Sequence, residues 1–469
     1  MGNEHTLPRR QLLAAAAAGT ATLAGCGTDS ESGAATDTAS PTPEPTVGTI
    51  AVPDSTRIGE RPELELTGFT PDTEVTLSAD ATDATETAFE GSWTLQTDSE
   101  GRARLPTTQP KWAPDTAWVG TLDRSSTLDW SRRAMLLGSL TPSAAEEANV
   151  FVHPYSRSAE VEFEAQYGSD SDSVTASTSR SIAPKVSAEP IPADDLYGMV
   201  CRPETTEQRP GIILLYGSSG DPPSTPAEIL ATHGYPTLVL QYFNSDVDGL
   251  PDRLRRVPLE YFDRAVEWFT GTEGVHPERI GLFGGSKGVE PALHTAAHHD
   301  GPATVVGYSG SGMYSPMYGR ASWTRGGEPV APMDVTMEVW NAVRDEFSRI
   351  DTPSESEAIR SVPENIREAT SPEAVETVTI PVEQIDGSVL LLSGDDDWTW
   401  PSVALSSFAI DRFAQADHDH EYGLAAYPGA GHIFTYPYRN YDGQATSIAY
   451  GGDPGPTARA AAAAWPRML

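Results

Sequence analysis

From about residue 49 the chain alternates between polar and apolar positions. Glu63-Leu64-Glu65-Leu66, Glu74-Val75-Thr76-Leu77, Trp93-Thr94-Leu95-Gln96, Ala103-Arg104-Leu105 and Glu160-Val161-Glu162-Phe163 repeat with a period of two. That is the period of a strand with one buried face. Turn residues such as Ser99-Glu100-Gly101 separate the runs, so residues 49–190 predict an all-β domain built as a sandwich. It holds no titratable cluster with catalytic spacing, which assigns it to packing beside a site elsewhere. Residues 169–192, rich in Ser, Asp and Pro, read as a linker.

At Gly211 the pattern changes. Ile212-Ile213-Leu214-Leu215-Tyr216 and Thr237-Leu238-Val239-Leu240 are continuous apolar runs, as expected for strands buried on both faces. Phe262, Ala265, Val266 and Phe269 then recur at i, i+3, i+4 and i+7, which predicts a helix. Further strand-like runs follow at residues 280–283, 303–308, 389–392 and 423–427. Strands alternating with helices predict a mostly parallel sheet with helices on both faces over residues 195–469. Ligands on such sheets bind at the carboxyl ends of the strands, so the chemistry belongs in the loops that follow these runs.

Composition narrows the setting. The 469 residues include 67 acidic against 31 basic side chains, a formal net charge of −36. Nucleic acid and anionic membrane surfaces need positive charge, so neither is an expected partner. The 2 cysteines exclude a disulfide scaffold. Lysine occurs only as Lys111, Lys185 and Lys287. Acidity with lysine depletion resembles proteins of salt-loving archaea; at about 1 M salt the Debye length is about 3 Å, so a dense carboxylate surface stops repelling itself.

The first residues read as targeting sequence. Arg9-Arg10-Gln11-Leu12-Leu13 leads a short alanine-rich run that ends at Leu23-Ala24-Gly25-Cys26. It is too short for a membrane span and resembles a twin-arginine signal followed by a lipobox. Residues 1–26 are therefore the expected signal, with Cys26 lipidated, and residues 27–48 a disordered tether. The expected location is the cell surface, with the lipid anchor as the sole membrane contact. Cys201, in strand-like Gly198-Met199-Val200-Cys201, is expected in the core.

Three loops carry suitable chemistry. After Phe283 comes Gly284-Gly285-Ser286-Lys287-Gly288, a G-x-S-x-G between a strand and a helix. Glycines there permit the tight turn that lifts a serine hydroxyl clear of the sheet. After Leu392 comes Asp395-Asp396-Asp397, where a histidine-orienting acid belongs; Asp397 is favoured over Asp396. After Tyr427 comes Pro428-Gly429-Ala430-Gly431-His432, and His432 is the expected general base. The order Ser, Asp, His is that of α/β hydrolases. The expected oxyanion donors are the backbone N–H groups of Lys287 and of Ser218, with Ser219 close behind. The Lys287 side chain reads equally as lining the site or as solvated. His298-His299-Asp300 and Asp417-His418-Asp419-His420 read as solvated surface, and no metal or cofactor is expected.

These residues together resemble the acyl-CoA thioesterase / bile acid-CoA:amino acid N-acyltransferase family. The resemblance rests on Pro210-Gly211-Ile212-Ile213, Pro258-Leu259-Glu260-Tyr261-Phe262, residues 284–288, Ile380-Pro381-Val382-Glu383 and residues 393–402. Tyr427-Pro428 through His432, and Gly451-Gly452 through Trp465-Pro466, complete it. It implies an immunoglobulin-like β-sandwich before an α/β-hydrolase domain, with Ser286 as nucleophile, Asp397 as orienting acid and His432 as base. The implied activity is hydrolysis of acyl thioesters of the acyl-CoA type, or of related esters, through an acyl-enzyme. Transfer of the acyl group to an amino acid is the alternative; members that transfer tend to use cysteine, and serine here leans towards hydrolysis. A non-catalytic cell-surface binding protein is a further alternative, against which an intact set of three groups argues. Glu290 occupies a family position with no derived role beyond the first helical turn. Residues 311–380, an insertion between strands, are expected to cover the pocket.

Overall fold

The computed structural model describes residues 48–58, 64–83, 88–103, 117–120, 141–142, 158–168, 172–181, 186–193, 195–205, 207–218, 224–244, 246–350, 356–434, 450–452 and 454–469. The twin-arginine stretch, Cys26, the tether up to residue 47, and Ser219 lie outside the described residues.

The first strands are β1 (Thr49–Ala51), β2 (Ser55–Arg57), β3 (Glu65–Thr67), β4 (Glu74–Asp83), β5 (Ala88–Gln96), β6 (Ala117–Gly120), β7 (Thr141–Pro142), β8 (Ser158–Tyr167) and β9 (Asp172–Ser181). β1 and β3 pair in a two-stranded sheet, and β2-β9-β8-β4-β5-β7 form a six-stranded one. Val75, Leu77, Ala79 and Ala81 of β4 and Val161, Phe163 and Ala165 of β8 are buried in one core with Ile50, Leu64, Leu66 and Phe69. The register sets Leu77 opposite Ala165 and Ala79 opposite Phe163. A period of two thus becomes one dry face.

A nine-stranded sheet carries the rest. Its strands include β10 (Val186–Pro190), β11 (Tyr197–Pro203), β12 (Arg209–Leu215) and β13 (Thr237–Gln241). β14 (Val257–Pro258) belongs to a small separate sheet; β15 (Val275–Gly285) and β16 (Pro302–Tyr308) return to the large one. Residues 311–380 contribute β17 (Pro316–Met317), β18 (Arg320–Ala321), β19 (Trp323–Arg325) and β20 (Glu328–Pro329) outside it, before β21 (Ser388–Gly394) and β22 (Tyr422–Tyr427). The order is β10-β11-β13-β12-β15-β16-β21-β22-β6. β13, β12, β15, β16, β21 and β22 run parallel, and β11 is antiparallel to β13. This is the expected sheet of an α/β hydrolase. The strand Ala117–Gly120, within the stretch expected to form the β domain, instead pairs antiparallel with β22. An open sheet edge presents unpaired N–H and C=O groups, and β6 covers one that periodicity alone does not assign.

The helices are α1 (Thr225–Thr232), α2 (Glu260–Thr270), α3 (Val289–His298), α4 (Met333–Phe347), α5 (Ser356–Ala369), α6 (Pro372–Val378), α7 (Ser402–Ala416) and α8 (Pro454–Met468). Alternate residues of the central strands face different cores. Ile213, Leu215, Leu238, Leu240 and Leu282 pack with α2, α3 and α7; Leu214, Val239 and Phe283 pack with α1 and α8. Apolar side chains on both sides explain the continuous runs. Phe262, Ala265, Val266 and Phe269 form the buried stripe of α2, and Cys201 is buried on β11.

His294 joins α3 to the insertion. It is buried, with Nδ1 2.6 Å from the Tyr314 hydroxyl and Nε2 3.4 Å from Arg325 Nη1. Its ring stacks on His298 at 4.0 Å. Burial, then His298 and Arg325, push its pKa from 6.5 down to about 2. The folded state therefore holds a neutral ring, whose stabilising contribution is present above pH 6.5 and lost as pH falls towards 2. Below pH 6.5 this one group is expected to cost about 1.4 kcal/mol per pH unit. Thermal unfolding between pH 7 and pH 4 checks it: His294→Gln should show a shallower acid loss than the parent, and equal slopes would refute it.

Candidate active site

Ser286 sits where β15 ends and a short 3₁₀ turn (Ser286–Gly288) leads into α3. Its φ is +52°, a left-handed conformation that costs a non-glycine residue about 1–3 kcal/mol. The surroundings enforce it. A Cβ on Gly288 would sit 2.0 Å from the Leu215 carbonyl oxygen, so the start of the helix lies directly on the end of β12. The strained turn leaves Ser286 partly exposed while Lys287 and Gly288 are buried.

The three consecutive aspartates divide their tasks. Asp395 Oδ1 accepts the Gly429 N–H at 2.6 Å. Asp396 accepts from Trp398 Nε1 at 2.8 Å and from the Gly452 N–H at 3.1 Å. Asp397 Oδ1 accepts the N–H groups of Thr399 (2.9 Å) and Trp400 (3.3 Å). Its Oδ2 lies 2.8 Å from His432 Nδ1, and His432 Nε2 lies 2.9 Å from Ser286 Oγ. Asp397 and His432 are 2 % and 3 % exposed, so water barely competes for these bonds. With Nδ1–H directed at the carboxylate, Nε2 is free to accept a hydroxyl proton from Ser286. The structure thus brings Ser286, Asp397 and His432 together, and it is Asp397 rather than Asp396 that reaches the histidine.

Residues 450–452, whose Gly451-Gly452 belongs to the family resemblance with no role read from it, form a strap. The Tyr450 carbonyl accepts the His432 N–H at 2.8 Å, and the Tyr450 ring stacks on the imidazole at 5.9 Å with 9° between planes. Gly451 bridges to Asp397. Its φ is +68°, and a Cβ there would sit 2.0 Å from the Asp396 carbonyl oxygen. The Gly451-Gly452 doublet was the available signal, but its meaning depends on what lies beneath it. On another side of His432 stands Trp400, 6.4 Å away and edge-on, with Trp340 of α4 stacked behind it at 6.1 Å. The insertion therefore reaches the aromatic wall of the site.

Gly217, after β12, faces the turn: a Cβ on it would lie 2.8 Å from Ser286 Cβ. Ser218 follows and is exposed. Neither reading of the Lys287 side chain holds. It is buried, with Nζ 2.7 Å from Glu290 Oε1. Burial pulls its pKa down, and the Glu290 carboxylate opposes that. Glu290 thereby acquires a partner that the helix start alone did not disclose.

Among the described residues, no group of three or more His, Cys, Asp or Glu could hold a metal ion. His298 Nδ1 bonds the His294 carbonyl, His299 Nδ1 accepts the Gly301 N–H, and His418 Nε2 bonds the Gly387 carbonyl. His420 pairs with Asp386 on the surface.

The two aspartates predict different penalties. Asp397→Asn should slow reaction of Ser286 with a fluorophosphonate about 10³-fold or more, because the imidazole loses the acceptor that sets its tautomer. Asp396→Asn, whose carboxylate holds Trp398 and the strap but does not reach His432, should slow it about tenfold or less; labelling rates in high salt compare them.

Comparison with known proteins shows what the chain is similar to. The chain is 27% identical over 293 residues to "Acyl-coenzyme A thioesterase 1" of Mus musculus, covering 61% of this chain and 65% of that protein. It is 27% identical over 259 residues to "Acyl-coenzyme A amino acid N-acyltransferase 1" of Mus musculus, covering 55% of this chain and 56% of that one. The chain thus spans less than two thirds of the length of these curated relatives. Among solved structures, a putative dienelactone hydrolase from Klebsiella pneumoniae subsp. pneumoniae MGH 78578 is 15% identical, with 61% of this chain and 96% of that chain covered and a TM-score of 0.35. Residues 257–469 match the family described as BAAT / Acyl-CoA thioester hydrolase C terminal. The part of the chain that holds Ser286, Asp397 and His432 is thus similar to the BAAT / Acyl-CoA thioester hydrolase C-terminal family.

Proposed function

We propose that this protein is a serine hydrolase that cleaves acyl thioesters of the acyl-CoA type, or related esters, through an acyl-enzyme on Ser286. His432 Nε2 takes the Ser286 proton as Oγ attacks the acyl carbonyl carbon. The carbonyl oxygen becomes an oxyanion, held by the N–H groups of Lys287 and Ser218. Collapse breaks the bond to the thiol or alcohol, which leaves with the proton from His432. Water then attacks the acyl-enzyme by the same route, returning the proton to Ser286 and releasing the acid. Asp397 keeps the imidazole oriented and stabilises its charged form throughout.

The observation that carries this reading is the relay Ser286 Oγ, His432, Asp397 at 2.9 and 2.8 Å. The thioesterase relatives supply the substrate class. Similarity to an amino acid N-acyltransferase favours a second reading, in which an amine replaces water at the deacylation step. The proposal places the hydrolase beside an immunoglobulin-like β domain, on a protein exported by the twin-arginine signal. It is held at the cell surface through lipidated Cys26, in a medium where a net charge of −36 favours solubility.

A fluorophosphonate probe in high salt tests the central claim. The parent should be labelled and Ser286→Ala should not; equal labelling of both would remove Ser286 as nucleophile. In an acyl-thioester assay, added glycine or taurine should leave the free acid as the product. An N-acyl amino acid would instead select transfer.

A further inference from the structure

The pair Lys287–Glu290 is almost sealed from solvent, with side chains 4% and 0% exposed. Desolvation offsets most of the attraction in such a pair, so stability is a weak reason for it. What it does is gather donors. Glu290 Oε1 also accepts the Ser315 hydroxyl at 2.5 Å. Oε2 accepts the Ser315 N–H at 3.0 Å and Trp323 Nε1–H at 2.7 Å. Lys287 Nζ donates to the Ser315 carbonyl at 2.7 Å. The start of α3 is thereby tied to the insertion at Ser315 and Trp323.

Trp323 extends the connection to the facing loop. Its ring lies 6.0 Å from that of Tyr242, which is 3% exposed. The Tyr242 hydroxyl donates to the Tyr216 carbonyl, its shorter bond, and shares that proton with the Gly217 carbonyl at 3.1 Å. Burial, with Glu290 nearby, keeps that hydroxyl protonated far above the ordinary range of tyrosine, so it remains a donor. A trans peptide is planar, so the Gly217 carbonyl and the Ser218 N–H point in opposite directions. Holding the carbonyl therefore aims the N–H. On the other side, the Ser286 carbonyl accepts the Val289 N–H, which by the same planarity aims the Lys287 N–H away from the helix.

We propose that Tyr242 is the positioning residue for the Ser218 N–H, and that the buried Lys287–Glu290 pair, acting through Trp323, keeps Tyr242 in register with the turn at Ser286. This rests on the hydrolase reading above. One network then sets both donors of the oxyanion hole relative to each other, although neither charged side chain touches the substrate.

Tyr242→Phe tests it in the full chain in high salt, since it removes a hydroxyl and keeps the ring packing. Turnover of an acyl thioester should fall about tenfold or more while KM stays within about threefold, because an oxyanion donor acts on the transition state. Affinity for a trifluoromethyl ketone, which forms an oxyanion adduct with the serine, should fall in step with kcat. Trp323→Phe, which cuts the link to Glu290, should show the same signature more weakly. Unchanged kcat and ketone affinity in Tyr242→Phe, whatever happens to its Tm, would overturn the positioning role. A parent protein that is neither labelled at Ser286 nor active would instead sink the hydrolase reading, and this inference with it.

Discussion

The left-handed turn at Ser286 is the constraint on which the site depends. A serine does not hold φ = +52° unaided. It is held because β15 lies mid-sheet, with Gly284 opposite Leu215 on β12 and Gly285 opposite Tyr308 on β16. The strand cannot shift without breaking both ladders, and the helix behind it rests on the β12 carbonyl. Strain of a few kcal/mol is small beside the burial that anchors such strands. The remaining parts of the site are loops brought to this fixed point.

Charge is used in two ways that composition does not separate. The 67 acidic residues together give the chain a formal net charge of −36. A few are buried, and each of those described at the site has specific donors. Buried Asp395 and Asp397 and half-buried Asp396 hold three different segments, and buried Glu290 serves Lys287, Ser315 and Trp323. A buried carboxylate without donors would cost several kcal/mol, so these placements dictate where neighbouring backbone must lie. The acidic loop therefore does structural work at two positions and faces the histidine at the third.

Much of the hydrolase half was legible because its signals are local. Ile213, Leu214 and Leu215 read as a doubly buried strand, and Phe262 to Phe269 as a helix face, since period and burial are linked by backbone geometry alone. The loops bearing Ser286, Asp397 and His432 were found because each follows an apolar strand. The fate of Ala117–Gly120, the strap at Gly451 and the Lys287 side chain were not legible. Each depends on a partner far away in sequence: β22, Asp396 and Ser315 respectively.

The sequence by itself determined the elements, their alternation and the chain order of the chemical groups, because periodicity and turn chemistry act over a few residues. Only the tertiary structure decided which aspartate meets His432, and that Tyr450 closes over the ring. It alone showed that Lys287 turns inward to Glu290 while Tyr242 reaches the Gly217 carbonyl. The reason is physical: a hydrogen bond is settled within about 3 Å, and spacing along a chain does not specify which side chains of neighbouring loops and turns come that close.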